Sequence, residues 1–381
     1  MLGSGDYAVT VTEWGGRIVW QSTTATLESV TWGRELGEVS KATASVLLPP
    51  TMADLLEPWV HLVQVYRAGQ LVWDGIIIRT ETTWGRVTIE ASDAGIMFSR
   101  RRVPHDRAWR QHDATQVMRT MVEDALGHRD PTNVVENIVA RPSRLWVTAS
   151  WSAAECMVAD VVDDLVGQGL AWCISAGRLL VGPVGAEYTT AQLSDKDFGG
   201  GMTVVKDGSE VVTDALVVGK GVWGQWADLN SPLGVVQAIE DADGAVYAEE
   251  CQEQARRLVQ DAGTTPRRLT VPSGSRLSPD APVRMDELVP GVQVPVASRQ
   301  TGVLVSSLMQ LTTVEVSVDA GGEQVSVTLE ETSVTGEVPA LPDPAELDHR
   351  SPYERELEGT QTRGIGSGVP EGEDGVGIPP A

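Results

Sequence analysis

The run PWVHLVQVYRAGQLVWDGIIIRTETTWGRVTIEASDAGIMF, residues 58–98, constrains the fold more than any other stretch, because it sets out three strands and their turns without interruption. Residues 60–66 are dense in β-branched and aromatic side chains. Ala68-Gly69 breaks that run as a tight turn would, and residues 71–78 resume it, which predicts a hairpin. Asp74-Gly75 falls inside the second strand, where a glycine marks a bulge or a close backbone approach, so a bend is expected there. The third strand, 84–91, alternates Val87 and Ile89 with Arg86, Thr88 and Glu90, giving one dry and one wet face. Ser92-Asp93 ends it.

Upstream, residues 7–13 and 17–21 read as two short strands around Gly15-Gly16, both glycines suiting a hairpin turn. Residues 24–32, closing at Gly33, and 39–48, stopped by Pro49-Pro50, add two more. A helical turn is expected at 52–56, ended by Pro58. Many short strands with one brief helical interruption describe a small barrel or sandwich over residues 1–105.

Residues 106–200 differ in kind. Asp113 starts a helix, with Gln116 completing a capping box, and Val117, Met118, Met121, Val122, Ala125 and Leu126 form one apolar stripe closed by Gly127. A second helix is expected from Ser152, with Glu155 three residues on. Its stripe of Val158, Val161, Val162 and Leu165 ends at Gly167. A hairpin of 170–175 and 178–182 follows around Ala176-Gly177. Asp160, Asp163 and Asp164 could be imagined as a catalytic carboxylate group, but they sit opposite the apolar stripe, where a solvated helix face is the commoner role.

The joint between these segments, RRRVPHDRAWRQH at 100–112, is the one basic patch in the chain. Arg100, Arg101, Arg102 and Trp109 could grip an anion or nucleic acid, with the indole stacking. The commoner role is structural, the arginines meeting carboxylates of the same chain or of the next subunit. His105-Asp106 and His112-Asp113 have the composition of metal ligands or of a base with its orienting acid, but no third ligand stands nearby.

After the Gly199–Gly201 triplet, β signals return over 201–335. Residues 211–218 read as a buried strand running into Gly219-Lys220-Gly221, which lacks the spacing and following helix of a phosphate loop. Trp223 and Trp226 fall on an expected loop, as contacts to a partner or a sugar or as half-buried anchors. A helix spans 245–262 with Cys251, Ala255, Leu258 and Val259 inward. Strands are expected at 268–271, 286–289, 293–296, 311–319 and 324–329. From Gly336 the chain is rich in Pro, Gly and Glu and reads as a disordered or draped tail, 336–381.

A length of 381 residues suggests two or three domains, and 41% hydrophobic residues suffice to fold them. The net charge of −24 disfavours sequence-independent nucleic-acid binding, since phosphates repel it. Cys156, Cys173 and Cys251 are odd in number and widely spaced, so neither a disulfide framework nor a zinc site is expected. No apolar run spans a membrane, and the polar start has no signal-peptide pattern. No cofactor, metal or catalytic residue is expected.

The order of short turn, Trp73 and Gly75 in a WDGII strand, Val87 and the strand end at Asp93, with the Arg-rich exit, resembles the baseplate-hub or tail-tip (minor tail) proteins of long-tailed phages. The resemblance implies a mainly β chain with an α+β insert, two tube-forming, barrel-like β domains at 1–105 and 201–335 flanking the smaller unit at 106–200. It implies a homotrimeric hub ring in the virion tail tip, assembled in the host cytoplasm. That ring would contact the distal tail protein, the tape-measure protein and other tip or receptor-binding proteins, and would leave a channel through which DNA passes unbound. Larger tip proteins continue into a peptidoglycan-cleaving or receptor-binding module that has no counterpart in 336–381. The alternatives are a tail-associated cell-wall hydrolase, which lacks a recognisable Cys/His or Ser/His/Asp arrangement, and a carbohydrate-binding module using Trp223 and Trp226.

Overall fold

A computed structural model describes residues 2–331 except 24, 49–53, 128–129, 154, 186–189, 207, 243–244, 246, 264–266, 301 and 303. The tail from Gly336, and residues 52–53 of the helical turn expected at 52–56, lie outside the described residues, while 54–55 form a turn. The fold is mainly β with an α+β segment in mid-chain, as the sequence predicts. Its described residues divide into two compact units, one within 2–200, 273–295 and 308–331, the other within 201–272 and 296–307.

The first unit opens with β1 (Tyr7–Glu13), β2 (Ile18–Gln21), β3 (Leu27–Glu35), β4 (Lys41–Leu47), β5 (His61–Arg67), β6 (Gln70–Thr83) and β7 (Arg86–Ser92). Ala68 and Gly69 both take positive φ, 49° and 79°, the geometry that lets β5 and β6 pair through a two-residue turn. β3 runs through Gly33 to Glu35 and does not stop there, because the missing side chain lets the Val314 carbonyl lie close by; a Cβ would sit 3.3 Å from it. Gly75 is likewise a close approach, since a Cβ would fall 2.3 Å from Ser92 O. The bulges of β6 lie to either side of it, where the register shifts at Val72 and at Ile78.

The middle segment begins with a 3-10 helix, Ala94–Arg100, and continues through β8 (Arg107–Asp113), α1 (Ala114–Leu126), β9 (Ile138–Ala140), β10 (Trp146–Trp151), α2 (Val158–Gly167), β11 (Trp172–Ser175), β12 (Arg178–Val181) and β13 (Leu193–Ser194). Both apolar stripes are buried, and they share one core with Leu62, Ile76, Phe98 and Trp172. Burying a side chain the size of Leu165 contributes about 1.5–3 kcal/mol. One helix cap and one helix start differ from the sequence reading. Asp113 does cap α1, but Gln116 forms no box with it: the carboxylate accepts from Thr115 N (3.0 Å), Ser143 N (3.2 Å) and Arg144 N (2.7 Å), tying a neighbouring loop to the helix start. α2 begins at Val158, six residues after Ser152, because Asp160 accepts the Met157 amide at 2.7 Å and so supplies the cap there.

The second unit holds β14 (Thr203–Lys206), β15 (Asp214–Val218), β16 (Trp223–Ala227), β17 (Gln237–Asp241), α3 (Ala248–Ala262) and β18 (Arg267–Thr270). β15 pairs antiparallel with β16 and parallel with β17, in the order β16-β15-β17. One face of this sheet packs on α3 through Ala215, Val217, Cys251, Ala255 and Val259. Gly224 permits that packing, since a Cβ there would fall 2.1 Å from Gln252 N.

The chain closes with β19 (Ser275–Arg276), β20 (Gln293–Ser298), β21 (Val305–Asp319) and β22 (Gly322–Glu331). The strand expected at 286–289 is a turn instead, in which Arg284 N donates to Glu287 Oε2 (2.8 Å) and Glu287 N to Arg284 O (3.1 Å). The largest sheet runs β13-β20-β21-β3-β4-β7-β6-β5-β1-β2, with β22 on β21 and β19 on β22. Val314 pairs with Arg34 and Val318 with Val30, so the last strands of the described chain complete the sheet begun by the first.

Candidate functional site

In the basic segment the backbone does the holding. The 3-10 helix is capped by Asp93, whose carboxylate accepts from Gly95 N (2.8 Å), Ser40 N (2.8 Å) and Ser40 Oγ (2.5 Å). Burial pushes this carboxyl up to about 7 against those bonds. Arg101 O accepts from Val158 N (2.9 Å), Arg102 bridges to Met157, and Val103 N donates to Cys156 O (3.1 Å), so the segment is strapped to the start of α2. The Arg100 guanidinium lies 5.6 Å over the Trp59 ring, a cation–π contact. Arg100 and Arg102 are exposed, while Arg101 is half-buried.

Residues 107–113 form β8 against β10, an element not expected from the sequence, because RAWRQHD has no strand periodicity and its pairing comes from Trp146–Trp151. Trp109 is half-buried against the helical core and meets His112 edge-on at 5.3 Å, so its ring is not an open stacking platform. Arg107 pairs with Asp124. Asp106 accepts from Ser152 Oγ (3.1 Å) and Ala153 N (2.9 Å), and Asp113 is taken up by the helix cap. Each aspartate of the two His-Asp pairs thus serves a loop or a cap. Asp164 accepts from Trp151 Nε1 at 2.9 Å, a structural bond for one of the three aspartates of α2. Among the described residues no group of three or more His, Cys, Asp or Glu side chains could hold a metal ion, and no helix is long and apolar enough to cross a membrane.

Besides the Asp93–Ser40 contacts, two more buried polar clusters stand out among the described residues of the first unit. Glu323 accepts from Tyr7 Oη (2.6 Å) and from Arg67 Nε (2.7 Å) and Nη2 (2.9 Å). Burial raises the Glu323 carboxyl, but the bonds from Arg67 and Tyr7 more than offset it and leave it below its ordinary value. Tyr7 is held well above the usual phenol range, by burial first and then by Glu323. Separately, Arg34 donates to Leu288 O (3.0 Å) and Val72 O (2.9 Å) with its guanidinium 5.0 Å over Trp32. These clusters join strands distant in sequence.

The exposed apolar surface gathers elsewhere. Trp223, Trp226, Leu229, Leu233, Val235 and Ile239 are all exposed in the second unit. Trp223 and Trp226 lie on β16 and not on a loop, and a separation of three residues puts them on opposite faces of that strand. Trp226 borders a shallow groove of about 480 Å³ with Val259 and Gly263 on the α3 side. Trp223 lies on the helix-free face with Leu216, Val218 and Ile239, the last 72% exposed. At the far end of that face Asp214 accepts from Gln225 Nε2 and Gln237 Nε2, both at 2.8 Å, and these bonds lower its carboxyl, Gln225 first. Sequence reasoning named Trp223 and Trp226 but missed the rest of this surface, because β17, QAIED, shows no β-branched run; a further signal was the apolar Leu233, Val235 and Val236 just before it.

A mainly β chain with a helical insert, whose first and last strands share a sheet, is the class that the architecture defines. This fold is shared with phage tail proteins. The chain is similar to the tail protein of Neisseria meningitidis MC58, at 15% identity and TM-score 0.50 over 85% of this chain and 96% of that one. It is also similar to the 43 kDa tail protein of prophage MuSo2 from Shewanella oneidensis, at 13% identity and TM-score 0.51 over 85% of this chain and 98% of that one. No protein-family model and no curated protein matches the chain.

Proposed function

We propose that this chain is a structural component of a phage-type tail, three copies forming a hub ring at the tail tip that joins the tail tube or its distal ring to the tip. The observation that carries this reading is the likeness in fold to two tail proteins along almost their full length. The ring works through its interfaces, without chemistry of its own. The net charge of −24 suits a bore that must let a duplex slide, because a lining without excess cations does not hold phosphates. Its neighbours are the distal tail protein, the tape-measure protein and tip or receptor-binding proteins, and it sits in the virion tail tip after assembly in the host cytoplasm. Residues 1–105 and 201–335 are the tube-forming domains and 106–200 the middle one. Arg100, Arg102, Trp223 and Trp226 are the candidate contacts whose side chains reach solvent.

A mass measurement on the purified chain tests the reading: the expected value is three times 40.8 kDa, with three-fold rings in electron micrographs. A stable monomer at micromolar concentration would sink it. The sugar-binding alternative finds no support in the placement of Trp223 and Trp226 on opposite faces, since a glycan platform needs its aromatic rings on one side.

A further inference from the structure

The two outer strands of the small sheet carry a further inference about how copies of this chain meet, and it takes the number of copies from the trimeric reading above. β16 and β17 flank β15, and each has one side without a partner strand among the described residues. The main-chain bonds fix which groups of β17 face out. Ala242 N donates to Val218 O, and Asp214 N to Val236 O, in a parallel pairing. By the two-residue period, Ala238 and Glu240 also turn their peptide groups toward β15, and Gln237, Ile239 and Asp241 turn theirs to solvent.

The strand directions favour one kind of joint. β16 runs against β15 and β17 runs with it, so β17 of one copy laid beside β16 of the next makes an antiparallel pair that continues the sheet. Side chains agree with that joint. Trp223 and Ile239 lie on the same helix-free face, 63% and 72% exposed, and would cover each other diagonally across it. Charge agrees as well. Trp223 and Asp241 both stand level with Val218, and exposed Lys220 projects beyond β15 at that same end. Lys220 of one copy therefore stands at the end where Glu240 and Asp241 of the other arrive. A contact between two different edges is heterologous, and it closes into a ring of three when the rotation between neighbouring copies is one third of a turn. We propose that copies of this chain join head to tail by main-chain pairing of β17 in one with β16 in the next, covering Trp223 and Ile239.

The test uses the full chain carrying Gln225→Cys, the full chain carrying Ile239→Cys, and their mixture, oxidised and run without reductant, beside the native mass of the unmodified protein. The expected result is a cross-linked dimer in the mixture and in neither variant alone. An oligomer by mass whose mixture does not cross-link overturns the edge pairing and leaves the trimer standing. Cross-linking of Ile239→Cys alone means a symmetric β17–β17 contact and overturns the head-to-tail joint. A monomeric native mass overturns both. Ile239→Pro is the second variant, removing an outward N–H and none of the ladder to β15. It is expected to reduce the mass to one third with an unchanged circular dichroism spectrum, and an oligomer that survives it with the same spectrum overturns the proposal.

Discussion

The hydroxyl of Tyr7 donates a 2.6 Å hydrogen bond to Glu323 Oε1 across a sequence separation of 316 residues. With Arg67 bound to the same carboxylate, this contact fastens β1 and β5 to β22. Tyr7→Phe is expected to cost about 1 kcal/mol in urea unfolding. Glu323→Ala should cost about 3 kcal/mol, because it also leaves the Arg67 guanidinium without its carboxylate in a largely buried place. The pH dependence has a definite sign. A carboxyl lowered on folding contributes stability above its unfolded value, and that part is lost as pH falls through the folded value. The acid limb of the stability profile should therefore shrink in Glu323→Gln.

Asp74 gives the opposite limb. Burial pushes its carboxyl up to about 7 from an ordinary 3.8, against a bond from the Gly177 amide. The folded state holds that proton more tightly than the unfolded chain. Its contribution is complete below the ordinary value and is lost as pH rises through about 7. Asp74→Asn keeps an acceptor for Gly177 and removes the charge. It should raise stability at pH 8 by on the order of 1–2 kcal/mol relative to the unmodified chain, allowing for the residue's half-buried setting, and do little at pH 4. Urea midpoints across that range measure it, and identical profiles for the two proteins would refute it.

Gly224→Val tests the second unit by itself. A Cβ there collides with the Gln252 main chain at 2.1 Å, so α3 must lift from β16. Amide exchange should speed up by at least tenfold along Ala248–Ala262, consistent with an overpacking cost of about 1–3 kcal/mol. Protection along β5–β7 should stay as it was.

Arg100→Glu with Arg102→Glu addresses the basic segment. Both side chains are exposed, and the strap to α2 is made by main-chain groups of Arg101, Arg102 and Val103. The melting temperature of the separated chain should hold within about 2 °C, as for surface substitutions generally, while assembly weakens. Undiminished mass by light scattering would remove these arginines from the interface.

How much of this was legible follows from where each signal lives. The β5–β6–β7 run could be read because Ala68-Gly69, the β-branched residues and the Val87–Ile89 alternation are all local to it. The stripes of α1 and α2 were equally plain. β8 and β17 were not, because Arg107–Asp113 and Gln237–Asp241 become strands only through neighbours that supply the pairing. The start of α2 was misplaced for a similar reason: two capping signals, Ser152 and Asp160, compete, and the strap at Arg101 and Val103 supports the later one. The exposed face around Ile239 was invisible without knowing which side α3 covers.

The pairing of β3 with β21 bears on how the protein is made. While the chain is still emerging from the ribosome, Leu27–Glu35 has β4 beside it but nothing on its other flank until Thr313–Val318 has been synthesised. Residues up to Val318 must therefore exist before that flank is sealed, and a product ending short of them would keep an unpaired, aggregation-prone border on β3.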